Sequence, residues 1–355
     1  MGFFIRAPEI MKRQMHRVLC EAVHEKQSDK SLIEKLSHLQ VFYGFCCREV
    51  VEDIEQMELC QVKRFQASVK QPWAEGIVDY CRKFLFLQSD STPWKAPVWY
   101  MERFHLQPER VDPSYPIKRF SFLEVSRKDN RKLLQRYMRY LLGVTNLSMR
   151  TIHTEFTYVR NFAIWMDEPD SPGIGSATPD QMDQYFKALQ RKKLQAASYN
   201  DQVMTILHFF NFLVVRRYRE SVPFSEELYL QKEIPVHHNR SVEAAVVKEI
   251  MGKLYRFPED IRLMYLHLWA AGLRISEVCA LKGNAYFLQA QDTFIQVYQN
   301  KMKSYKKIPI PAALYELMQV YLKKHSVKPN EYLFSEFPRR PLPQRNLSME
   351  NDPVL

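Results

Sequence analysis

Arg274 lies in the run Ala271-Gly272-Leu273-Arg274-Ile275-Ser276-Glu277-Val278-Cys279-Ala280-Leu281, between two helical patterns. Upstream, Leu263 to Trp269 is an apolar helical run. Downstream, Ile275, Val278 and Leu281 share one face of a second helix. Gly272 can take the positive φ that ends the first helix. The spacing therefore holds a guanidinium at the mouth of a helix–turn–helix, against a packed base. A planar, always charged fork placed there suits phosphate. Further cations follow in Asn300-Lys301-Met302-Lys303-Ser304-Tyr305, a polar turn between two β-rich stretches, 293–298 and 306–310.

The elements that must position these groups are mostly helical. The chain has 355 residues, 46% of them apolar and only 9 of them glycine, which predicts two or three domains and a mainly α fold with a small β-sheet. Residues 1–120 are expected to form an N-terminal accessory region. Leu32, Leu36, Leu39 and Phe42 show its helical spacing. Prolines 93, 97, 108, 113 and 116 fall among Trp94, Trp99, Tyr100, Phe104 and Tyr115. Such proline density forbids a long helix, while the aromatics need burial, so this stretch predicts an ordered, irregular connector.

Residues 121–232 predict a compact four-helix domain. Its helices are expected near 129–142, over 149–166, from Thr178-Pro179, and from Ala197 through a Phe-rich run to Arg216 and Arg217. The aromatic stripes of these helices belong to the core. Arg150, Arg160, Lys192, Lys193, Arg216 and Arg217 are the candidate contacts to a polyanion. Each alone is an ordinary solvated charge, but together they could track a phosphate backbone, which requires positive charge rather than fixed spacing. Residues 241–355 form the last domain. It should contain a helix over 241–256, the Arg274 helices, the hairpin, a helix over 311–324 and a short strand at 332–334.

Lysine and arginine number 51 against 40 acidic residues, a net charge of +11, which points to nucleic acid or an anionic surface. None of the six cysteines forms a CxxC pair, and the adjacent His237 and His238 rarely could converge on one ion. Neither a metal nor a small-molecule cofactor is expected, and the cysteines are taken as reduced, mostly buried thiols. No leader is visible and no apolar run reaches about 18 residues, so a cytoplasmic protein without membrane contact is expected.

The run around Arg274 resembles the first active-site box of the tyrosine recombinase (phage integrase) family, roughly T-G-L-R-I-S-E-L. The four-helix region resembles that family's SAM-like core-binding domain. The hairpin is similar to the family pattern G-K-G-x-K-x-R-x-V-P-L, which aligns Lys301 with the catalytic lysine. Both glycines are missing, which leaves Lys303 as a fallback. The resemblance implies an α+β catalytic domain and strand exchange on double-stranded DNA without metal or cofactor. A tyrosine phenol would attack a phosphodiester, and two transesterifications would conserve the bond energy. It implies that Arg274 clamps the scissile phosphate, that Lys301 protonates the leaving 5′-oxygen, and that Glu277 braces its helix. Other recombinase protomers on the same site are implied partners.

The family's second box, roughly H-x-L-R-H, and its later tyrosine have no match, because neither Tyr nor His follows Tyr332. The catalytic domain is thus expected to be incomplete. A truncated recombinase is the leading expectation, and a non-cleaving DNA-binding or regulatory relative is the alternative. A helical interaction protein without a nucleic-acid role stands as a third.

Overall fold

The computed structural model describes residues 7–112, 115–168, 171–235, 242–299, 302–336 and 340–341. Its contacts divide the chain into two compact units. The first comprises Met1–His105, Ile117–Leu147 and Thr151–Ile234; the second comprises Leu106–Pro116, Ser148–Arg150 and Pro235–Leu355.

The first unit is helical. It runs through α1 (Glu9–His24), α2 (Asp29–Arg48), α3 (Leu59–Val69) and α4 (Trp73–Leu87) to a short antiparallel ladder of β1 (Val98–Tyr100) with β2 (Arg119–Ser121). It continues in α5 (Lys128–Gly143), α6 (Met149–Trp165), α7 (Pro179–Gln190) and α8 (Ala196–Val215). These last four fall within a few residues of the expected helices, because their starts are encoded locally. Thr178 Oγ1 accepts the Gln181 N–H at 3.4 Å, and Gln181 Oε1 accepts the Thr178 N–H at 3.0 Å, a reciprocal cap on α7.

Two features tie the first hundred residues into this unit. Arg131 on α5 reaches Glu58, the residue before α3, with two nitrogens at 2.9 and 2.6 Å. Trp99 of β1 is fully buried, its ring 4.7 Å from Phe122 and 5.0 Å from Trp94. The described aromatics of the proline-rich connector are thus packed, as their burial required, and part of the connector is strand. The aromatic stripe of α6 and α8 is core: Phe162, Phe209, Phe210 and Leu213 have no exposed surface.

The second unit carries α9 (Ala244–Lys253), α10 (Glu259–Ala271), α11 (Ile275–Cys279), the antiparallel sheet β3 (Tyr286–Gln289), β4 (Asp292–Gln299) and β5 (Ser304–Pro309), then α12 (Ala312–Lys324) and the two-residue pair β6 (Ser335–Glu336) and β7 (Arg340–Pro341). Val278, Ile295, Met318 and Phe334 centre its core. The fold is thus mainly α with small antiparallel sheets. Two local details differ from the sequence expectation. β3 is an additional strand, joined to β4 through a tight turn in which Ala290 takes φ 54°. Tyr332-Leu333-Phe334 is not a regular strand. Tyr332 makes one bridge to Lys282 and the Leu333 N–H donates to the Leu281 carbonyl at 2.9 Å, so this stretch has backbone pairing only to the end of the Arg274 box.

A buried histidine fixes the base of this unit. His267 on α10 is fully buried; its Nδ1–H donates to the Leu263 carbonyl at 2.6 Å, which leaves Nε2 to accept from the Tyr286 hydroxyl at 2.5 Å. Burial lowers its pKa below the ordinary 6.5 and raises that of Tyr286. The unfolded chain then binds the proton more readily. The stability contributed is full above the unfolded value and falls as pH drops from there toward the folded value, by at most about 1.4 kcal/mol per pH unit. Hydrogen-exchange protection of α10 is expected to weaken below about pH 6.5. His267→Gln, an acceptor neutral at every pH, is expected to abolish that dependence; an unchanged slope would assign it to other groups. Among the described residues, no helix is long and apolar enough to cross a membrane.

Candidate phosphate-binding site

Gly272 ends α10 in the left-handed region, φ 60° and ψ 30°, and lets the chain turn within two residues into α11. Arg274 stands at the N-terminus of that helix with extended backbone, φ −77° and ψ 153°. Its side chain is 65% exposed while that of Glu277 is 7% exposed. The Glu277 carboxylate reaches back: Oε2 accepts the Arg274 N–H at 2.9 Å and Oε1 accepts from the Arg274 guanidinium at 2.9 Å. This is the glutamate half of a capping box, and it aims a fixed guanidinium outward. Among the described residues Glu277 is the only side chain that holds it.

The same Oε1 accepts a hydrogen bond from Gln299 Nε2 at 3.1 Å. Gln299 is the last residue of β4, at the mouth of the β4–β5 turn, where it pairs with Ser304. Two nitrogens 2.9 and 3.1 Å from one oxygen lie no more than 6.0 Å apart. The box and the root of the hairpin therefore share one carboxylate. Lys301 itself lies outside the described residues. Lys303 is exposed, in the left-handed region at φ 51°, beside an exposed Met302. Sequence reasoning had no signal for Gln299, since its role arises from a contact across 22 residues.

A cleft of about 550 Å³ opens on this face, lined among others by Glu277, Lys282, Tyr298 and Tyr305. Glu109 and Val111, from the far side of the connector, line it as well. Burial next to Asp112 pushes the Cys279 thiol up to about 11, which leaves it unreactive at neutral pH. All six cysteines are free; Cys46, Cys81 and Cys279 are buried, whereas Cys20 and Cys60 are exposed.

The candidate DNA contacts of the first unit do not form one cluster. Lys193 follows α7 in the left-handed region, φ 50°, and Arg217 follows α8 at φ 58°. The 20 residues of α8 between them span roughly 30 Å. Both positions also suit a cation near a helix C-terminus. Arg216 lies 5.7 Å from the Tyr140 ring, and Arg136 lies 4.3 Å from Tyr218 beside it, so the end of α8 is a basic, aromatic corner. Arg160 is drawn to Glu124 at 3.3 Å and over the Phe156 ring, with its side chain 26% exposed. Arg150 is exposed, groups with the second unit and stacks over Tyr115 at 5.3 Å.

Arg274 thus faces outward on a helix–turn–helix and is braced through Glu277 against the end of β4 in a three-stranded antiparallel sheet. The sequence profile of the Phage integrase family matches residues 240–350, which contain Arg274 and Lys301. That of the Phage integrase N-terminal SAM-like domain matches residues 134–217. The chain belongs to the tyrosine recombinase (phage integrase) family.

It is similar to transposase B from transposon Tn554 of Staphylococcus aureus, with 24% identity over 279 residues, 77% of this chain and 44% of that protein. It is also similar to tyrosine recombinase XerA of Thermococcus onnurineus, 25% identical over 205 residues, 58% of this chain and 66% of that protein. The chain thus spans less than half the length of the transposase it matches. Among solved structures it is similar to a lambda integrase dimer bound to a COC' core site, with TM-score 0.46, 15% identity, and coverage of 61% of this chain and 59% of that one.

Proposed function

We propose that this chain grips duplex DNA as part of a transposon-type integrase that breaks and rejoins strands. The observation that supports it most is the shared carboxylate: Glu277 holds the exposed Arg274 and the root of the Lys301 hairpin within hydrogen-bonding reach of one oxygen. In this role Arg274 clamps the scissile phosphate and stabilises the charge that grows on its non-bridging oxygens. Lys301 protonates the leaving 5′-oxygen, with Lys303 as its substitute. Glu277 positions and does not react. The attacking tyrosine is not assigned to any residue of this chain. Arg150, Arg160, Lys193, Arg216 and Arg217 contribute backbone contacts that position the duplex without reading its sequence, and further protomers share the site.

The test is duplex binding against salt, followed by fluorescence anisotropy. Affinity is expected to fall steeply with salt, and Arg274→Ala to flatten the log–log slope by about 1 while weakening binding uniformly across sequences. If neither Arg274→Ala nor Lys301→Ala moves the slope, the face does not hold phosphate. A distinct footprint with that indifference favours a non-cleaving protein that occupies recombination sites. Salt-insensitive, weak binding removes the nucleic-acid role.

A further inference from the structure

The connector makes an excursion that its sequence did not announce. The chain leaves the first unit after His105, and Leu106–Pro116 groups with the second unit before Ile117 returns to the first. Within that excursion Pro108, Glu109 and Val111 form one wall of the cleft whose other walls include Glu277, Lys282, Tyr298 and Tyr305. Glu277 is the carboxylate that holds Arg274, so the segment lies against the face that the proposed function gives to a phosphate.

The segment is docked rather than draped. Arg110 is 8% exposed, and burial lowers its pKa. Burial, and after it the charge of nearby Asp112, raises the pKa of Cys279, at the end of α11, and of Tyr332. Lys282 Nζ lies 5.5 Å from the same Tyr332 ring. Glu109 thereby shares a cleft with Lys282 and with Glu277, the carboxylate that holds Arg274, and Asp112 lies near Cys279 and Tyr332 of the same unit. A carboxylate and a phosphate oxygen compete for the same ammonium and guanidinium donors. They also differ in reach: a segment tethered at both ends competes at high effective concentration.

We propose that Leu106–Asp112 is an acidic strap that occupies the DNA face of the second unit and must be displaced before a backbone phosphate can settle there. This deepens the function proposed above and rests on it. The strap's own charges set the competition. Removing them favours DNA without altering any residue that holds phosphate.

The experiment uses the full chain and a mixed-sequence duplex. The double variant Glu109→Gln with Asp112→Asn is compared with Asp292→Asn with Glu316→Gln, two exposed acids of the same unit. Both variants gain two positive charges overall, so general attraction to DNA cancels. The strap variant is expected to bind about tenfold more tightly than the control. In the unaltered chain, hydrogen exchange of residues 106–112 is expected to speed up when duplex is saturating. Equal affinity of the two variants, or exchange over 106–112 that slows or stays constant on binding, overturns the strap. Because exchange is read on the unaltered chain, a folding defect in either variant leaves that arm decisive. If binding depends on Arg274 yet the strap stays protected, the strap fails and the phosphate site stands. If no variant binds duplex, both fail.

Discussion

Glu277→Ala is expected to disable the phosphate site and to destabilise the second unit by about 2–3 kcal/mol. The carboxylate is almost buried, with a side chain 7% exposed, and it satisfies three donors: the Arg274 N–H, the Arg274 guanidinium and the Gln299 amide. The ion pair itself contributes little, because the arginine is 65% exposed and solvent screens it. The larger loss is the helix cap and the link to the hairpin. Both would go with one side chain, because Oε1 serves the arginine and the glutamine together. Urea unfolding gives the stability change. Duplex affinity gives the loss of preorganisation, expected to match or exceed that of Arg274→Ala, since the guanidinium and the hairpin would both be released. Glu277→Gln retains an acceptor but turns an N–H toward donors, so it should fall between. A stability loss below about 0.5 kcal/mol would mean that water replaces the carboxylate fully, and the brace would be abandoned.

Trp99→Ala is expected to cost the first unit about 3–5 kcal/mol, the range for emptying a large aromatic site in a packed core. Trp99 is fully buried between Trp94 and Phe122, with Phe104 at 6.5 Å. Its indole Nε1 is buried with no hydrogen-bond partner among the described residues. Trp99→Phe therefore removes an unsatisfied donor as it gives up part of the ring, and a net loss under about 1.5 kcal/mol is expected. For a unit of this size the alanine variant should melt about 10 °C lower. Calorimetry is the appropriate measurement, because the substitution alters tryptophan fluorescence directly. If the alanine variant melts within about 2 °C of the parent, the connector is not part of the first unit's core.

Each half of the chain disclosed a different share of itself. In the helical part, the apolar spacing of α5 to α8 and the caps at Thr178 and Gly272 are signals contained within a few residues, and the helices start and stop where those signals lie. The Arg274 box was legible for the same reason: its glycine, its arginine and its glutamate at the third helical position are one local motif. Tyr332-Leu333-Phe334 misled because β-rich composition states a preference, while a strand needs a partner along its length and this one has a single bridge.

Short-range signals therefore establish the repertoire: a mainly α chain, a cationic balance, and an arginine set on a turn between two helices. Tertiary structure alone decided which groups meet. Gln299 joins Glu277 because the register of β4 on β5 puts the end of that strand there. Glu109 and Asp112 reach the second unit because the connector crosses to it, and Lys193 parts from Arg217 because a whole helix lies between them. Caps and periodicity act over one or two helical turns, within reach of inspection. Contacts between distant segments depend on how every intervening element packs, and no short stretch of sequence carries that information.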